Sequence, residues 1–148
     1  MSDTINDNKA RLGVTVLDNT PASVILVVDD DALINMNTVD MVQDLGHTAL
    51  EAYSGKEALE ILNSGRRIDV LITDYAMPGM TGVELATRAR EMHPDLPILL
   101  ATGYADLPSG ATTDLPRLAK PYQQVDLETH IARLLAGRNV QLPAKEAG

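Results

Sequence analysis

The chain contains no cysteine, tryptophan or phenylalanine, and four tyrosines are its whole aromatic complement. Without cysteine there is no disulfide framework, no thiolate nucleophile and no cysteine-based zinc site. The absence fits a reducing cytoplasm. With so few rings, a core has to be assembled from Leu, Ile, Val, Met and Ala. Basic residues are scarce too: 12 Lys and Arg stand against 21 Asp and Glu, for a net charge of −9. Such a surface repels phosphate backbones and argues against nucleic-acid binding. No apolar run reaches the roughly 20 residues that span a bilayer, so no membrane association is expected. The polar start MSDTINDNKARLG lacks the basic and apolar segments of a signal peptide. A cation or a basic partner protein is the natural counterpart.

What is present suffices for one domain: 148 residues, 45% of them apolar. Residues 1–22 read as a flexible N-terminal arm, within which 12–17 alternates weakly. Residues 23–137 read as the folded unit, and 138–148, with Gly, Pro, Lys and Glu, as a short C-terminal tail. Inside the folded unit, apolar runs alternate with helical periods. Strands are expected at 24–28, 47–53, 69–73, 96–101 and 117–119. Ala32, Ile34, Met41, Val42 and Leu45 form one helical stripe. Ser54 with Glu57, and Thr81 with Glu84, have the spacing of capping boxes and open two further helices. Leu127, Ile131, Leu134 and Leu135 stripe a last one. Between Tyr104 and Arg117 the run ADLPSGATTDLP has no apolar stripe, so the fourth helix is expected to be short, frayed or absent. Strand and helix repeated five times predict an α/β fold with a doubly wound, five-stranded parallel sheet.

In such sheets ligands sit beyond the carboxyl ends of the strands. Asp29, Asp30 and Asp31 follow the first strand, Asp74 the third, Thr102 the fourth and Lys120 the fifth. Carboxylates, a hydroxyl and an amine on one edge make a phosphoryl-transfer site. Clustered carboxylates raise one another's pKa values, and a hard dication such as Mg²⁺ relieves the repulsion through oxygen ligands. An Asp kept ionised there can attack phosphorus, while an ammonium and a hydroxyl stabilise charge on the transferring group. Taken singly, each residue has a plainer reading: three Asp can cap a helix, Asp74 and Thr102 can serve turns, and Lys120 can be a surface lysine. Jointly, four strand ends meeting on one edge favour the site.

Four segments carry a family resemblance: Val27 to Asp31 (VVDDD), Leu71 to Gly82 (LITDYAMPGMTG), Leu100 to Gly103 (LATG) and Lys120 to Tyr122 (KPY). Together they resemble the receiver domains of two-component response regulators, over about residues 23–136, and imply the flavodoxin-like (βα)5 arrangement. The resemblance implies that Asp74 is the phosphoacceptor. It also implies that Asp30, Asp74 and the carbonyl of Ala76 bind Mg²⁺, with Asp29 holding a metal-bound water. Thr102 and Lys120 would contact the phosphoryl group, and the Lys120–Pro121 bond would be cis. The expected partners are a sensor histidine kinase or histidine phosphotransfer protein and an unidentified downstream protein, with a homodimer as an open alternative. The chain would be no enzyme in the usual sense, though it would catalyse its own phosphorylation and dephosphorylation. With only 11 residues after Gly137, output is expected to run through protein contact, from a single-domain regulator or a piece of a hybrid kinase.

The chain departs from the family pattern at the signalling switch. Where many receivers carry an aromatic residue three positions before the lysine, this chain has Arg117. Tyr104 is a candidate substitute. Ala101, Thr102 and Gly103 are similar to a receiver subgroup with an Ala-Thr-Gly motif, no aromatic switch and a mobile fourth helix. Phosphorylation is then expected to order the loop 103–115 rather than flip a ring. Two rival readings are a pseudo-receiver that binds partners without phosphorylation and an Asp-nucleophile phosphohydrolase. The first is disfavoured by the filled acid, hydroxyl and amine positions. The second would need an acid two residues after Asp74, where Ala76 stands. His47, His93 and His130 are scattered without metal-ligand spacing.

Overall fold

The computed structural model describes residues 22–103 and 114–147. Residues 1–21, Tyr104 and most of the interval where a short fourth helix was expected lie outside the described residues.

Five strands make one parallel sheet: β1 (Val24–Val28), β2 (Thr48–Ala52), β3 (Val70–Asp74), β4 (Ile98–Thr102) and β5 (Arg117–Ala119), in the order β2-β1-β3-β4-β5. Four described helices cover it: α1 (Ala32–Asp44), α2 (Gly55–Leu62), α3 (Gly82–Met92) and α4 (Gln124–Ala147). The two-sided burial follows from strand pleating. Along β1, Leu26 and Val28 enter the core shared with α2 and α3, while Ile25 and Val27 enter the core shared with α1 and α4. All five residues of β3, the middle strand, are buried. The edge strand β2 buries only Ala52.

Several boundaries differ from the sequence expectation, among them β2, which is 48–52 rather than 47–53, and β4, which takes in Thr102 as its last residue. The third strand starts and ends one residue later, so Asp74 is its last residue rather than the first beyond it. Asp69, left outside, is buried and accepts the Val24 N–H at 2.8 Å. The fourth strand begins at Ile98, leaving Pro97 just ahead of it, where its carbonyl accepts from Leu71 N–H at 3.0 Å; a residue without an N–H is tolerated there. The helix after β5 runs on through Gly137 to Ala147 where a tail was expected. The continuation holds both Gly137 and Pro143, which in a helix interior cost about 1 and about 3 kcal/mol relative to Ala, and for that reason the residue types suggested a tail.

The helix starts also refine the expectation. Thr81 and Glu84 form the full reciprocal capping box, at 3.1 and 2.9 Å. Ser54 accepts the Glu57 N–H at 3.0 Å, but the Glu57 carboxylate reaches the N–H of Tyr53 at 2.7 Å instead of closing on Ser54. On α1 the predicted apolar stripe holds in part: Val42 is buried and Met41 and Leu45 pack half-buried against the same core, but the other buried positions are Asn35 and Thr38, while Ile34 is half-buried and Ala32, Leu33 and Met36 are exposed. The buried face includes two polar residues because each finds hydrogen-bond partners there, which an apolar count cannot register.

Candidate functional site

Backbone pairing brings the strand tips into line. Asp29 N–H donates to Ala52 O at 3.2 Å, Tyr75 N–H to Ala101 O at 2.9 Å, and Lys120 N–H to Thr102 O at 2.9 Å. The residues singled out from the sequence therefore share one edge of the sheet. Asp29, Asp30 and Asp74 each present a carboxylate oxygen, and these three atoms lie within 4.8 Å of one another. Asp29 and Asp74 are each only 4% exposed, whereas Asp30 faces solvent. Lys120 enters from the end of β5, with Nζ 2.6 Å from Asp74 Oδ1 and 3.5 Å from Asp29 Oδ2.

The three consecutive acids have separate duties. Asp31 is the N-cap of α1, its Oδ1 accepting from Leu33 N–H at 3.0 Å and Ile34 N–H at 3.2 Å. The capping reading thus holds for Asp31, and Asp29 and Asp30 belong to the cluster. Asp29 Oδ1 accepts the Asp31 N–H at 2.9 Å, which turns its other oxygen toward Lys120.

Burial pushes the Asp29 carboxyl above its usual range, and the charge on Asp74 adds to the push; the Asp31 N–H and Lys120 pull against it. Burial by itself would lower Lys120. The hydrogen bond that the ammonium donates to Asp74 and the charges of both acids outweigh that and hold the ammonium above its ordinary value. Lysine and acids thus stabilise one another's charged forms. The donor set, three carboxylates with two of them buried, suits a hard divalent cation.

Thr102 closes β4 and is half-buried, and Ala76 is exposed two residues past Asp74. Arg117 opens β5 at the opposite end from Lys120, pairs in register with Leu100 and is exposed. The Lys120–Pro121 peptide is cis, as the resemblance implied.

Two features go beyond the roles that the motifs implied, although Gly82 itself closes the quoted Leu71–Gly82 segment. A Cβ at Gly82 would stand 2.4 Å from the Asp74 carbonyl oxygen, and the Gly82 N–H donates to Tyr75 O at 2.9 Å, so the start of α3 sits hard against the tip of β3. The side chains of Asn35 and Thr38 reach the loops of the site from α1. The one available signal was a polar residue at a helical core position.

Residues 25–132 match the response regulator receiver domain family. The chain is 37% identical over 121 residues to the sensor kinase CckA of Brucella abortus (strain 2308), a match covering 77% of this chain and 12% of the kinase. It is 35% identical over 115 residues to the response regulator receiver protein CpdR of the same bacterium, covering 75% of this chain and 95% of CpdR. Among solved structures, a response regulator receiver protein from Sinorhizobium medicae WSM419 superposes with a TM-score of 0.71 at 32% identity, covering 79% of this chain and 97% of that one. The receiver domain of the hybrid histidine kinase CckA gives 0.64 at 30% identity, over 76% of this chain and 99% of that one.

Proposed function

The chain belongs to the response regulator receiver family, and from that premise we propose that Asp74 is its phosphoacceptor and that Asp29, Asp30, Asp74 and the Ala76 carbonyl form its Mg²⁺ site. The observation that carries the reading is Lys120 Nζ at 2.6 Å from a buried Asp74 that shares a 4.8 Å cluster with two further carboxylates. A bound Mg²⁺ supplies charge neutralisation for phosphoryl transfer.

The chain's own residues do the rest. The Lys120 ammonium keeps Asp74 ionised, so a carboxylate oxygen is available as nucleophile. Attack on a phosphohistidine forms the Asp74 O–P bond and breaks the donor's P–N bond, and the leaving imidazole takes up a proton from solvent. Asp74 loses its negative charge in becoming the mixed anhydride. Lys120 is then freed to pair with the phosphoryl oxygens, and Thr102, at the adjacent strand tip, donates its hydroxyl to them. The phosphodonor is a histidine kinase or phosphotransfer protein, and the chain catalyses both its own phosphorylation and its slow hydrolysis. With Arg117 exposed and outside the site, the signal runs through Thr102 and the segment that follows it, Tyr104 included, to a downstream protein.

The test is labelling by acetyl phosphate with and without Mg²⁺, in the wild type and in Asp74→Asn. Mg²⁺-dependent label on the wild type and none on the variant is the expected result. Equal labelling of the two would overturn the assignment.

A further inference from the structure

The buried face of α1 holds Asn35 at 0% exposure and Thr38 at 2%. They lie three residues apart, on one side of the helix. Buried polar side chains are tolerated where they find partners, and the partners here are unusually placed. Asn35 Nδ2 donates to the carbonyls of Asp29 at 3.1 Å and Ala52 at 2.9 Å. That pins the start of the acid loop, which carries Asp29 and Asp30, to the tip of β2. Thr38 Oγ1 shares a 2.5 Å hydrogen bond with the hydroxyl of Tyr122, two residues beyond Lys120. One face of one helix therefore holds both loops that bring opposite charges to the site.

Fold stability alone does not account for the asparagine. Its Oδ1 is buried with no hydrogen-bond partner among the described residues, so an apolar residue of similar size would avoid an uncompensated polar atom. What only a two-donor amide supplies is the simultaneous grip on two carbonyls. Likewise, the hydroxyl of Tyr122 lies against α1 and points to Thr38, while its neighbour Lys120 points to Asp74.

We propose that Asn35 and the Thr38–Tyr122 pair are positioning residues that fix, from α1, where the acid loop and the Lys120 ammonium stand relative to each other. The inference rests on the phosphoacceptor reading above and assigns a division of labour within it. Asn35 acts on metal affinity through the acid loop. Thr38 and Tyr122 act on the transfer rate through the lysine loop.

The experiment uses the full chain with Asn35→Leu, Thr38→Val, Tyr122→Phe and the Thr38→Val/Tyr122→Phe double variant. Mg²⁺ affinity is measured by titration calorimetry, labelling rate with acetyl phosphate across a Mg²⁺ series, and folding by thermal unfolding. For Asn35→Leu, Mg²⁺ affinity should fall on the order of tenfold, the low end for partners of metal ligands, with a labelling defect that excess Mg²⁺ repairs. For Tyr122→Phe and Thr38→Val, labelling should slow by about fivefold, the worth of one hydrogen bond, with a defect that excess Mg²⁺ does not repair. The double variant should be no slower than either single one, because both lose the same bond. If Asn35→Leu does not fold, Asn35→Ser, which keeps one donor, should show a partial loss of the same kind. Lower unfolding temperatures with unchanged affinity and rate would overturn the proposal, as would additive effects of Thr38→Val and Tyr122→Phe. A wild type that acetyl phosphate does not label would instead sink the phosphoacceptor reading itself.

Discussion

Replacing Gly82 by alanine adds one carbon atom at the point where α3 meets the tip of β3. Its nearest neighbours would be the Asp74 carbonyl oxygen at 2.4 Å, Leu100 Cδ1 at 2.7 Å and Tyr75 Cα at 3.0 Å. Two effects oppose each other. Alanine is the better helix former by about 1 kcal/mol in a helix interior, and by less in a first turn. Against that, contacts ordinarily made near 3.5 Å must open by about 1 Å, and two of the three neighbours are backbone that cannot rotate away. Overpacking of this kind costs about 1–3 kcal/mol. The crowding wins, and a net loss of about 1–2 kcal/mol corresponds to a fall in unfolding temperature of about 4–8 °C for a chain of this size. The function should suffer more than the fold. The atom pushed aside is the carbonyl of Asp74 itself, and a displacement near 1 Å at a reacting group costs on the order of 100-fold in rate.

Two other helical glycines calibrate the experiment. At Gly55 the new carbon would meet Met80, with Sδ at 2.6 Å and Cβ and Cγ at 3.1 Å. A thioether chain can swing aside, so Gly55→Ala should change stability by less than about 1 kcal/mol. At Gly137, within α4, nothing stands within 4 Å, and Gly137→Ala should raise the unfolding temperature by up to about 4 °C. Thermal unfolding followed by circular dichroism, with acetyl phosphate labelling alongside, gives the ranking. A Gly82→Ala protein as stable and as quickly labelled as the wild type would refute the reasoning, as would one less affected than Gly55→Ala.

Three further outcomes are expected. His47 Nδ1 accepts the Ser23 N–H at 3.3 Å, and burial pushes its pKa down, only partly opposed by Asp69. A lowered folded-state pKa means the unfolded chain binds the proton first. The contribution is complete above the ordinary imidazole value of about 6.5 and fades as pH drops below it. Unfolding temperatures between about pH 8 and pH 5 should therefore fall more steeply for the wild type than for His47→Gln, and parallel curves would count against the assignment. Ala76→Asn places an amide beside Asp74 where it can orient water, so label on Asp74 should be lost severalfold faster than from the wild type; slower loss would contradict the role given to position 76. Thr81→Ala removes the hydroxyl half of the α3 capping box and should cost about 1 kcal/mol, read as a drop of about 4 °C.

The sheet was legible because β1, β3 and β4 are buried on both faces and so appear as apolar runs, with Asp29, Asp74, Thr102 and Lys120 at or directly after the strand ends. The edge geometry then followed from parallel topology alone. What escaped was whatever depends on partners distant in sequence. Asn35 and Thr38 are buried because Ala52 and Tyr122, 17 and 84 positions away, accept or share their hydrogen bonds. An apolar stripe drawn through Ile34, Met41, Val42 and Leu45 passes them over. The identical side chains at 29, 30 and 31 could not be sorted from composition, since capping and clustering use the same carboxylate. Only the path of the chain after β1 separates Asp31, aimed at the α1 N-terminus, from the other two. At Gly137, a residue that usually ends helices lies within one.

The uneven grip of Lys120 has a consequence for how a signal would leave the site. The ammonium stands at 2.6 Å from Asp74 but 3.5 Å from Asp29, so its main partner is the very carboxylate proposed to be consumed. Phosphorylation of Asp74 removes that carboxylate charge and leaves Asp29, whose carboxyl burial already pushes upward, as the remaining acid paired with Lys120. Lys120 must re-pair with the new phosphoryl oxygens. Its backbone is tied to Thr102 through the β4–β5 ladder at 2.9 Å, and Thr102 is the residue proposed to donate its hydroxyl to the same oxygens. Both adjustments fall on the last two strands, of which β5 is a three-residue edge exposing Arg117 and Ala119. An edge that short has few bonds to resist a shift, and α1 clamps the opposite side of the site through Asn35. The compliance of the site is therefore one-sided, on the side of β4 and β5.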